Sequence, residues 1–510
     1  SCKLTLLALM LMSLHPKANL ATSIFAGAIA PLALAPSGLW PLALLSVVLF
    51  WYSLNQSQSN KHATFVGFAY GLGYFGVGVS WVFVSMVDHG STHWLLATVL
   101  TSFFCGGLAL LYALFAGVFF RIKPHHQYPS LLFIGLWLSL DLLRGWILTG
   151  FPWLYLGYAG LDTFVAGYAP ILGVHGVTLL LLLSSLLVFG MQAKPLVRFV
   201  LLTSVWLFGY GLSTISWTQP SQDKPITVTL LQANVKLEEK WLPENLTPTL
   251  AYYLSQSYQH LDSDLIIWPE TAIATYWDYI APVLQPLAQL AKQKNTQIIS
   301  GTVIRDTAQT QAHYYNSLIA FGAEDGQYYK QRLVPFGEYV PLESWLRGTI
   351  EFFDLPMSAF KLPQKEQGLL TQSIPIAGNI CYEIAYPQLI AAQAADAQII
   401  VTVSNDTWFE HSLAPRQHLQ MAQMRALENG KPVARATNSG VSALVDASGV
   451  ITHIAPLYEQ AQVTGQVVLM EGSTPYNAGL NWPVLFISMG LILCGLRRHL
   501  IGVFPIRLKT

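Results

Sequence analysis

The sequence contains little charge. Asp, Glu, Lys and Arg make up only 11% of its 510 residues, whereas soluble domains contain about 25%. The 27 basic residues equal the 27 acidic ones in number, so the composition gives no sign of the basic surface that binds nucleic acid. A mean hydropathy of +0.43 accompanies the scarcity of charge, and together they predict a membrane protein.

Cysteine is also scarce. The chain has four, and only Cys381 falls in its polar part; Cys2, Cys105 and Cys494 lie elsewhere. A disulfide framework is therefore excluded in that part, and no Cys/His cluster has the spacing of a zinc site, so we expect neither a metal nor another cofactor. A lone thiol in a folded domain is either a small buried hydrophobe or a nucleophile.

The charge that exists is concentrated in one part of the chain. Residues 222–473 have an ordinary composition, whereas residues 19–215 and 479–496 consist largely of apolar runs. A helix needs about 20 apolar residues to cross a bilayer, so we predict seven spans before the polar domain and an eighth after it. Their approximate bounds are 19–35, 38–54, 63–86, 94–120, 129–147, 165–190, 197–214 and 479–496. Residues 1–18 are left unassigned, and residues 497–510 form a cytoplasmic tail.

The positive charges predict an orientation, because cytoplasmic loops carry an excess of Lys and Arg. With the N-terminus in the cytoplasm, every basic cluster of the membrane half falls on one side; these clusters contain Lys61, Arg121, Lys123, Lys194, Arg198, Arg497 and Arg498. The domain 222–473 must then lie on the opposite side. In a Gram-negative bacterium this is the periplasmic face of the inner membrane.

Two charged residues fall in the fifth predicted span. A charge at membrane depth costs about 2.5–3.5 kcal/mol on insertion scales, so Asp141 and Arg144 need a reason to be there. One interpretation is an i, i+3 ion pair that satisfies itself. The other is that Arg144 binds a lipid phosphate on the outer side.

The periodicity changes at residue 226, where short β-branched runs begin to alternate with helical stretches. Fully apolar runs such as LIIW and IIVTV indicate a sheet that is covered on both faces, so we predict an α/β layered domain. The predicted strands are 226–232, 264–268, 297–304, 316–321, 375–381, 398–404, 432–437 and 441–446. The predicted helices are 245–261, 280–294 and 413–429.

Three segments of this domain place a reactive residue at the end of a strand: Glu270 in DLIIWPET, Lys330 in YYKQRLVPFGE and Cys381 in IAGNICYE. A cysteine between a strand and a helix is exposed at the turn, and the helix dipole is expected to lower its pKa. Each residue also has an ordinary explanation. Glu270 suits a solvated turn, Lys330 a solvated loop, and Cys381 the core.

The order W-P-E, K-x-x-L-V-P-F-G-E and C-Y-E resembles the nitrilase, or carbon–nitrogen hydrolase, superfamily. The longer segments RLVPFGEYVPLE (332–343), NICYEIAYP (379–387) and VSNDTWF (403–409) resemble its membrane-bound apolipoprotein N-acyltransferases. The resemblance covers about residues 19–500. It implies an αββα sandwich beside eight transmembrane helices.

The resemblance also implies roles for the matching residues. Glu270 corresponds to the general base, Lys330 to the oxyanion stabiliser and Cys381 to the nucleophile. The residues that match supporting or substrate-binding positions are Glu338, Tyr382, Glu383, Trp241 and Asn316.

For the reaction, the resemblance implies transfer of a phospholipid sn-1 acyl chain, preferably from phosphatidylethanolamine, through a thioester on Cys381. The acceptor is the α-amine of the diacylglyceryl-cysteine that begins a bacterial apolipoprotein, and the enzyme acts as a monomer. Two alternatives stay open: a membrane-anchored amidase of the nitrilase type, in which water resolves the thioester, and a lipid-binding protein without activity.

The segment 342–360 (LESWLRGTIEFFDLPMSAF) carries many large hydrophobic residues, including Trp345, Phe353 and Met357. If these side chains were exposed to water they would favour aggregation. One hypothesis is therefore an arm that enters the outer leaflet and guides lipid. The alternative is ordinary packing on the sandwich.

Overall fold

The computed structural model describes residues 16–496, apart from 222–223, 308–311, 336, 340–359 and 366. Three sequence-based predictions lie outside the described residues. They are the assignment of residues 1–15, the tail 497–510, and the lipid arm with Trp345, Phe353 and Met357.

Each predicted span contains a helix. These helices are Pro16–Ile29, Pro41–Asn55, Asn60–Gly78, Trp94–Ile122, Pro129–Arg144, Ala169–Phe189, Pro195–Ser213 and Trp482–Leu493. A short apolar stretch, Val82–His89, continues the third helix after a bend of 58°. Close approach of backbones holds the bundle together. A Cβ atom on Gly67, for example, would lie 2.2 Å from the Tyr112 carbonyl oxygen of the neighbouring helix.

The predicted number of eight spans is not confirmed. Within the described part of the chain, three helical segments are long and apolar enough to cross a membrane: Trp94–His125, Phe164–Phe189 and Pro195–Ser213. The bent pair Asn60–Gly78 and Val82–His89 makes a fourth if it is one span. The helices Pro41–Asn55, Pro129–Arg144 and Trp482–Leu493 do not reach this length on their own, because a helix rises about 1.5 Å per residue and the hydrocarbon core is about 30 Å thick.

The polar domain is built from two large sheets. Its strands are β1 (Gln219–Pro220), β2 (Ile226–Gln232), β3 (Leu265–Ile267), β4 (Gln297–Asp306), β5 (His313–Gly322), β6 (Gly326–Tyr329), β7 (Ile376–Ile380), β8 (Ile399–Ser404), β9 (Val433–Thr437), β10 (Ala443–Val445), β11 (Ile451–Ile454), β12 (Ala461–Val467) and β13 (Met470–Glu471). One sheet has the order β12-β2-β3-β4-β5-β6 and the other β11-β10-β9-β8-β7, while β1 pairs with β13.

Parallel strands lie at the centre of both sheets. In the first sheet β2, β3 and β4 are parallel, and in the second β7, β8 and β9 are parallel. The inner faces meet in a buried apolar core that includes Val228, Ile267, Ile380, Val401 and Ala434. The strands β3, β7 and β8 carry apolar residues on both of their faces. Each of the two sheets is therefore covered on both sides, as the sequence predicted.

All eight predicted strands and all three predicted helices are present with small shifts at their ends. The helices are Pro243–Gln259, Trp277–Lys294 and Ala414–Asn429. The structure adds five strands that the sequence analysis did not predict, β1, β6, β11, β12 and β13, and short helices such as Pro387–Ala394. The alternation of β12 is clear from its burial, in which every second residue is exposed. The strand lies at the edge of its sheet.

The two helix layers have different surroundings. Helices Pro243–Gln259 and Trp277–Lys294 cover the outer face of the first sheet and form a separate cluster there. Helices Pro387–Ala394 and Ala414–Asn429 cover the second sheet, and their apolar residues join one cluster with those of the membrane half. The helix layer on the second sheet therefore packs against the helical half and joins the sandwich to it.

A hydrogen bond from the helical half to the polar domain fixes this contact. The membrane helix Ala169–Phe189 is kinked at Gly173, which has a φ of +66°. The freed Val174 N–H donates to the buried Glu428 carboxylate at 2.6 Å. A carboxylate at the start of a helical segment satisfies a free donor and interacts favourably with the helix dipole.

The Asp141–Arg144 pair is buried within the helical half. The Arg144 guanidinium is 1% exposed, and it donates to Asp141 at 2.9 Å and to the Trp153 carbonyl at 2.6 Å. Its face also lies 4.7 Å from the centre of the Tyr155 ring. These contacts favour the internal ion pair over the alternative in which Arg144 binds a lipid phosphate.

Candidate active site

Glu270 follows β3 and lies buried where the strands of the two sheets end. Its carboxylate accepts hydrogen bonds from the Asn316 side chain at 2.8 Å and from the Asn405 backbone N–H at 2.9 Å. The neighbouring β4 strand carries Gly301 at this point, and a Cβ atom there would lie 2.6 Å from the Glu270 Cα. Glycine therefore allows the close approach that brings Glu270 into position.

Lys330 directly follows β6 and is 1% exposed. Its ammonium lies 2.8 Å from Glu338 Oε1 and 3.5 Å from Glu270 Oε1. Burial opposes the charge of this group, but the carboxylates of Glu338 and Glu270 outweigh burial and hold the pKa of Lys330 above its ordinary value. The result is a fixed cation between two carboxylates.

Asn316, on β5, joins the two carboxylates. Its side-chain amide donates to Glu270 Oε1 and to Glu338 Oε1, each at 2.8 Å, and its carbonyl oxygen on the backbone accepts from Lys330 N–H at 2.9 Å. Glu338 is held further by the Val334 N–H, which donates to its Oε2 at 2.8 Å. The Asn316 amide thus holds the carboxylates of Glu270 and Glu338 on either side of the Lys330 ammonium. Hydrogen bonds and opposite charges both stabilise this cluster.

Cys381 begins the turn Cys381–Ala385 immediately after β7. Its φ of +52° lies in the left-handed region, where residues other than glycine are uncommon. Such backbone strain is concentrated at functional sites, where the surrounding structure maintains it. The sharp turn brings the sulfur to the strand ends, and the Cys381 side chain is only partly exposed.

The expected lowering of the Cys381 pKa is wrong. Burial and the Glu270 carboxylate raise the pKa of the thiol well above its ordinary range, and the Lys330 ammonium only partly opposes them. The turn after Cys381 has five residues, so its dipole is weak compared with that of a full helix. The resting group is therefore a neutral thiol, and it needs a base to react.

Glu383 connects the turn after Cys381 with the segment after β6. Its carboxylate accepts from the backbone N–H groups of Ile380, Gln331 and Arg332 at 2.7, 2.6 and 3.2 Å. The Tyr328 hydroxyl adds a fourth donor at 2.9 Å. Burial raises the pKa of Glu383 to about 7, while the Lys330 ammonium and these donors oppose the rise. Glu383 thus holds the Lys330 and Cys381 segments together.

Tyr382 points away from this cluster, toward the membrane half. Its hydroxyl donates to the Gly150 carbonyl at 3.1 Å, and its ring is stacked at 6.4 Å on Trp153. Tyr386, one turn later, donates to the Thr149 carbonyl at 3.0 Å. The nucleophile's turn is therefore attached directly to a loop of the helical half.

Trp241 is the most exposed of the predicted site residues, with 44% of its surface accessible. It follows the short helix Leu237–Lys240, and its neighbour Lys240 donates to the Glu270 carbonyl at 3.1 Å. Burial lowers the pKa of Lys240 to about 8 against the opposing effect of Glu270. Among the described residues, Trp241 therefore lies beside the buried hydrogen-bonded cluster and is not part of it.

Four groups of the site were missed by the sequence analysis. They are the Asn405 N–H on Glu270 and the buried side chains Asp406, His418 and Arg435, which lie behind Cys381. The sequence of the helix Ala414–Asn429 gave one indication of such buried groups. Its polar residues occur on more than one face, so some of them must lie inside the protein. Within the described part of the chain, no group of three or more His, Cys, Asp or Glu residues has a metal-binding arrangement.

Comparison with known proteins covers both halves of the chain. Residues 227–471 match the family described as carbon-nitrogen hydrolase, and residues 26–187 match the apolipoprotein N-acyltransferase N-terminal domain.

Curated relatives cover nearly the whole chain. The apolipoprotein N-acyltransferase of Pseudomonas aeruginosa is 42% identical over 482 residues, which are 92% of this chain and 94% of the relative. The enzyme of the same name from Pseudomonas syringae pv. tomato is 41% identical over 91% of this chain and 94% of its own. That of Photobacterium profundum is 38% identical over 91% and 92%. With 42% identity extending through both the helical half and the sandwich, the chain belongs to the apolipoprotein N-acyltransferase family.

Proposed function

We propose that this enzyme transfers the sn-1 acyl chain of a phospholipid, through a thioester on Cys381, to the N-terminal amine of a diacylated apolipoprotein. The observation that carries this proposal is the placement of Cys381. Its turn faces a buried Glu–Lys cluster on one side and is hydrogen-bonded to the apolar helical half on the other. A soluble substrate would not require the second contact.

In the first half-reaction Cys381 is the nucleophile and Glu270 the general base. The raised pKa of the thiol means that proton removal must accompany attack. The sulfur forms a bond to the ester carbonyl carbon, and the thiol proton passes to Glu270. The bond from that carbon to the glycerol oxygen then breaks, and the oxygen leaves with the proton from Glu270 as lysophospholipid.

Lys330 stabilises the oxyanion of the tetrahedral intermediate. A cation that is already held by Glu338 does not have to reorganise when negative charge develops, which makes it effective in a buried site. Glu338 and Asn316 position it, and Glu383 keeps its segment next to Cys381.

In the second half-reaction the amine of the diacylglyceryl-cysteine attacks the thioester. Glu270 first takes one proton from the incoming ammonium and releases it to water. It then takes a second proton from the nitrogen as the C–N bond forms and passes it to the Cys381 sulfur as the C–S bond breaks. Both substrates use one site in turn, as in a ping-pong mechanism. Phosphatidylethanolamine is the proposed donor, and the enzyme is proposed to act as a monomer.

The membrane half receives the lipid. A cavity of about 490 Å³ lies between helices Asn60–Gly78 and Trp94–Ile122, and Leu72, Phe83 and Cys105 are among its lining residues. Such a lining suits an acyl chain. We propose eight crossings in total, with the domain 222–473 on the periplasmic side of the inner membrane, because the basic clusters in the loops of the membrane half then all face the cytoplasm. Trp345, Phe353 and Met357 are proposed to enter the outer leaflet.

The proposal is tested by incubating the full-length enzyme in detergent with phosphatidylethanolamine that is labelled at sn-1 and with a diacylated lipopeptide. The wild type is expected to release lysophospholipid and to form a triacylated peptide. Cys381→Ala should do neither, and mass spectrometry of the wild type without lipopeptide should find the acyl group on Cys381.

A matched variant controls for the loss of a thiol. Cys494→Ala removes an exposed cysteine outside the polar domain and should retain turnover if only Cys381 carries the acyl chain. Release of free fatty acid with no peptide product would instead identify a hydrolase. A wild type that releases no lysophospholipid would refute the acyl-transfer assignment.

A further inference from the structure

A buried chain of polar side chains lies behind Cys381. The Arg435 guanidinium donates to Asp406 Oδ2 at 2.6 Å and approaches His418 Nδ1 at 3.0 Å, and the Ser404 hydroxyl donates to Asp406 Oδ1 at 2.6 Å. The other ring nitrogen, His418 Nε2, lies 3.0 Å from the backbone carbonyl oxygen of Cys381. The steps of acyl transfer described above use none of these side chains.

The contacts of His418 determine which of its nitrogens carries the proton. Arg435 can only donate, so Nδ1 must accept from it, and the proton of a neutral ring must then be on Nε2. Asp406 Oδ1 also lies 3.2 Å from Nδ1, but it accepts a shorter hydrogen bond of 2.6 Å from Ser404, whereas Nε2 faces the Cys381 carbonyl oxygen, which can only accept. Burial and the Arg435 charge lower the pKa of His418, which keeps the ring neutral. His418 therefore donates Nε2–H to the Cys381 carbonyl.

This bond fixes the orientation of a whole peptide group. The Cys381–Tyr382 peptide is trans and planar, so its N–H points in the direction opposite to its C=O. His418 holds the C=O on the side of the helix Ala414–Asn429. The Tyr382 N–H consequently faces away from that helix. As an early N–H of the turn Cys381–Ala385, it has no partner within the turn.

The peptide needs such a restraint because Cys381 is in the left-handed region, with a φ of +52°. Residues other than glycine pay for this conformation with about 1–3 kcal/mol, and a rotation of the following peptide offers one way to relax. A carbonyl that is held by a neutral buried donor resists that rotation. Donation to the carbonyl also polarises the N–H of the same peptide.

We propose that His418 is a positioning residue that holds the Cys381–Tyr382 peptide so that the Tyr382 N–H donates to the oxyanion, beside Lys330. Arg435 and Asp406 set the tautomer of His418 that makes this possible. The inference rests on the proposed function, since it requires acyl transfer at Cys381. An N–H donor after the nucleophile already fits the proposed acyl-transfer mechanism, and what is added is the side chain that aims this donor.

Two substitutions at one position separate a positioning role from a structural one. A glutamine amide reaches the position of Nε2 and can donate to the Cys381 carbonyl, whereas an asparagine amide reaches only the position of Nδ1. We expect His418→Asn to slow acylation of Cys381 by phosphatidylethanolamine about 10–100-fold, since one oxyanion donor contributes 10²–10³ in rate. His418→Gln should recover at least tenfold over His418→Asn.

Alkylation of Cys381 by iodoacetamide provides the second measurement, read at the Cys381 peptide by mass spectrometry. The sulfur displaces iodide from a CH2 carbon in this reaction, so no carbonyl oxyanion forms. The alkylation rates of both His418 variants should therefore stay within about threefold of the wild type while acylation falls. Equal loss of both rates, or equal acylation by His418→Asn and wild type, would overturn the proposal.

A further variant leaves His418 in place, which matters if a change at this buried position prevents folding. Replacing Tyr382 with its α-hydroxy acid retains the side chain, removes the backbone N–H and weakens the Cys381 carbonyl as the acceptor of the His418 hydrogen bond. The same loss of acylation with unchanged alkylation is expected, and normal acylation would overturn the proposal. If the wild type itself formed no acyl adduct on Cys381, the proposed function would fail instead, so the two failures are distinguishable.

Discussion

Asn316→Asp is a sharp test of the charge arrangement around Lys330. The substitution changes one atom of the side chain and almost no volume. It removes the amide hydrogens that Asn316 donates to Glu270 and Glu338 at 2.8 Å each, and it adds a third carboxylate to the cluster. If Asn316 only filled space, this near-isosteric substitution would have little effect on activity.

The magnitude follows from the proton that the new carboxyl must take up. Two carboxylates at hydrogen-bond distance cannot both stay ionised without strong repulsion, so the aspartyl side chain is driven to protonate. For a group of ordinary pKa about 3.9, protonation at pH 7 costs at most about 4 kcal/mol, which corresponds to about 10³-fold in rate. At pH 6 the cost falls by about 1.4 kcal/mol, or tenfold.

The assay measures the single-turnover release of lysophospholipid between pH 6 and pH 8, as the ratio of wild-type to variant rate. For Asn316→Asp the ratio should shrink as the pH falls, because acid supplies the missing proton. Asn316→Leu should lose activity with a ratio that does not depend on pH. Gln327→Glu, the same type of change at an exposed position on the adjacent strand, should have little effect. A ratio for Asn316→Asp that is independent of pH would refute the reasoning.

Two further substitutions test the surroundings of the site. Gly440→Ala would place a Cβ atom 2.4 Å from Asp406 Oδ2, so we expect a loss of about 1–3 kcal/mol in stability and a lower melting temperature in detergent. Gly106→Ala, where nothing lies within 4 Å and the residue is inside a helix, should not lower the melting temperature, and equal melting temperatures for both variants would contradict the close contact. Lys240 has its pKa lowered to about 8, so the folded state binds fewer protons than the unfolded state from there up to about pH 10.4. Wild-type stability should therefore rise with pH across this window relative to Lys240→Met, by at most about 3 kcal/mol, and a difference that does not vary with pH would contradict the buried charge.

Local patterns were sufficient for most of the polar domain. The apolar runs that became β2, β3, β7 and β8 were predictable because a strand that is covered on both faces must be apolar throughout. The edge strands β6, β11 and β12 were not predicted. An edge strand alternates with exposed polar residues, and this pattern is weak in a short segment.

The membrane half shows a different limit. Hydropathy located every helix, yet it did not determine which helices are long enough to cross a bilayer. Prolines, glycines and bends divide the apolar runs, and the bend of 58° after Gly78 has no counterpart in an average of hydropathy over many residues. For the predicted spans 38–54, 129–147 and 479–496, the apolar run is therefore longer than the helix within it.

The sequence by itself determined the class of protein and the identity of Glu270, Lys330 and Cys381 as candidates, because strand ends and motifs are local in the chain. Only the tertiary structure decided how they act. It showed that Asn316 joins two carboxylates around Lys330, and that burial raises the pKa of Cys381 where the local turn had suggested a lower value. It also placed His418 behind the nucleophile, 37 positions along the chain. Burial, charge and hydrogen bonding depend on neighbours in space, and folding alone brings those neighbours together.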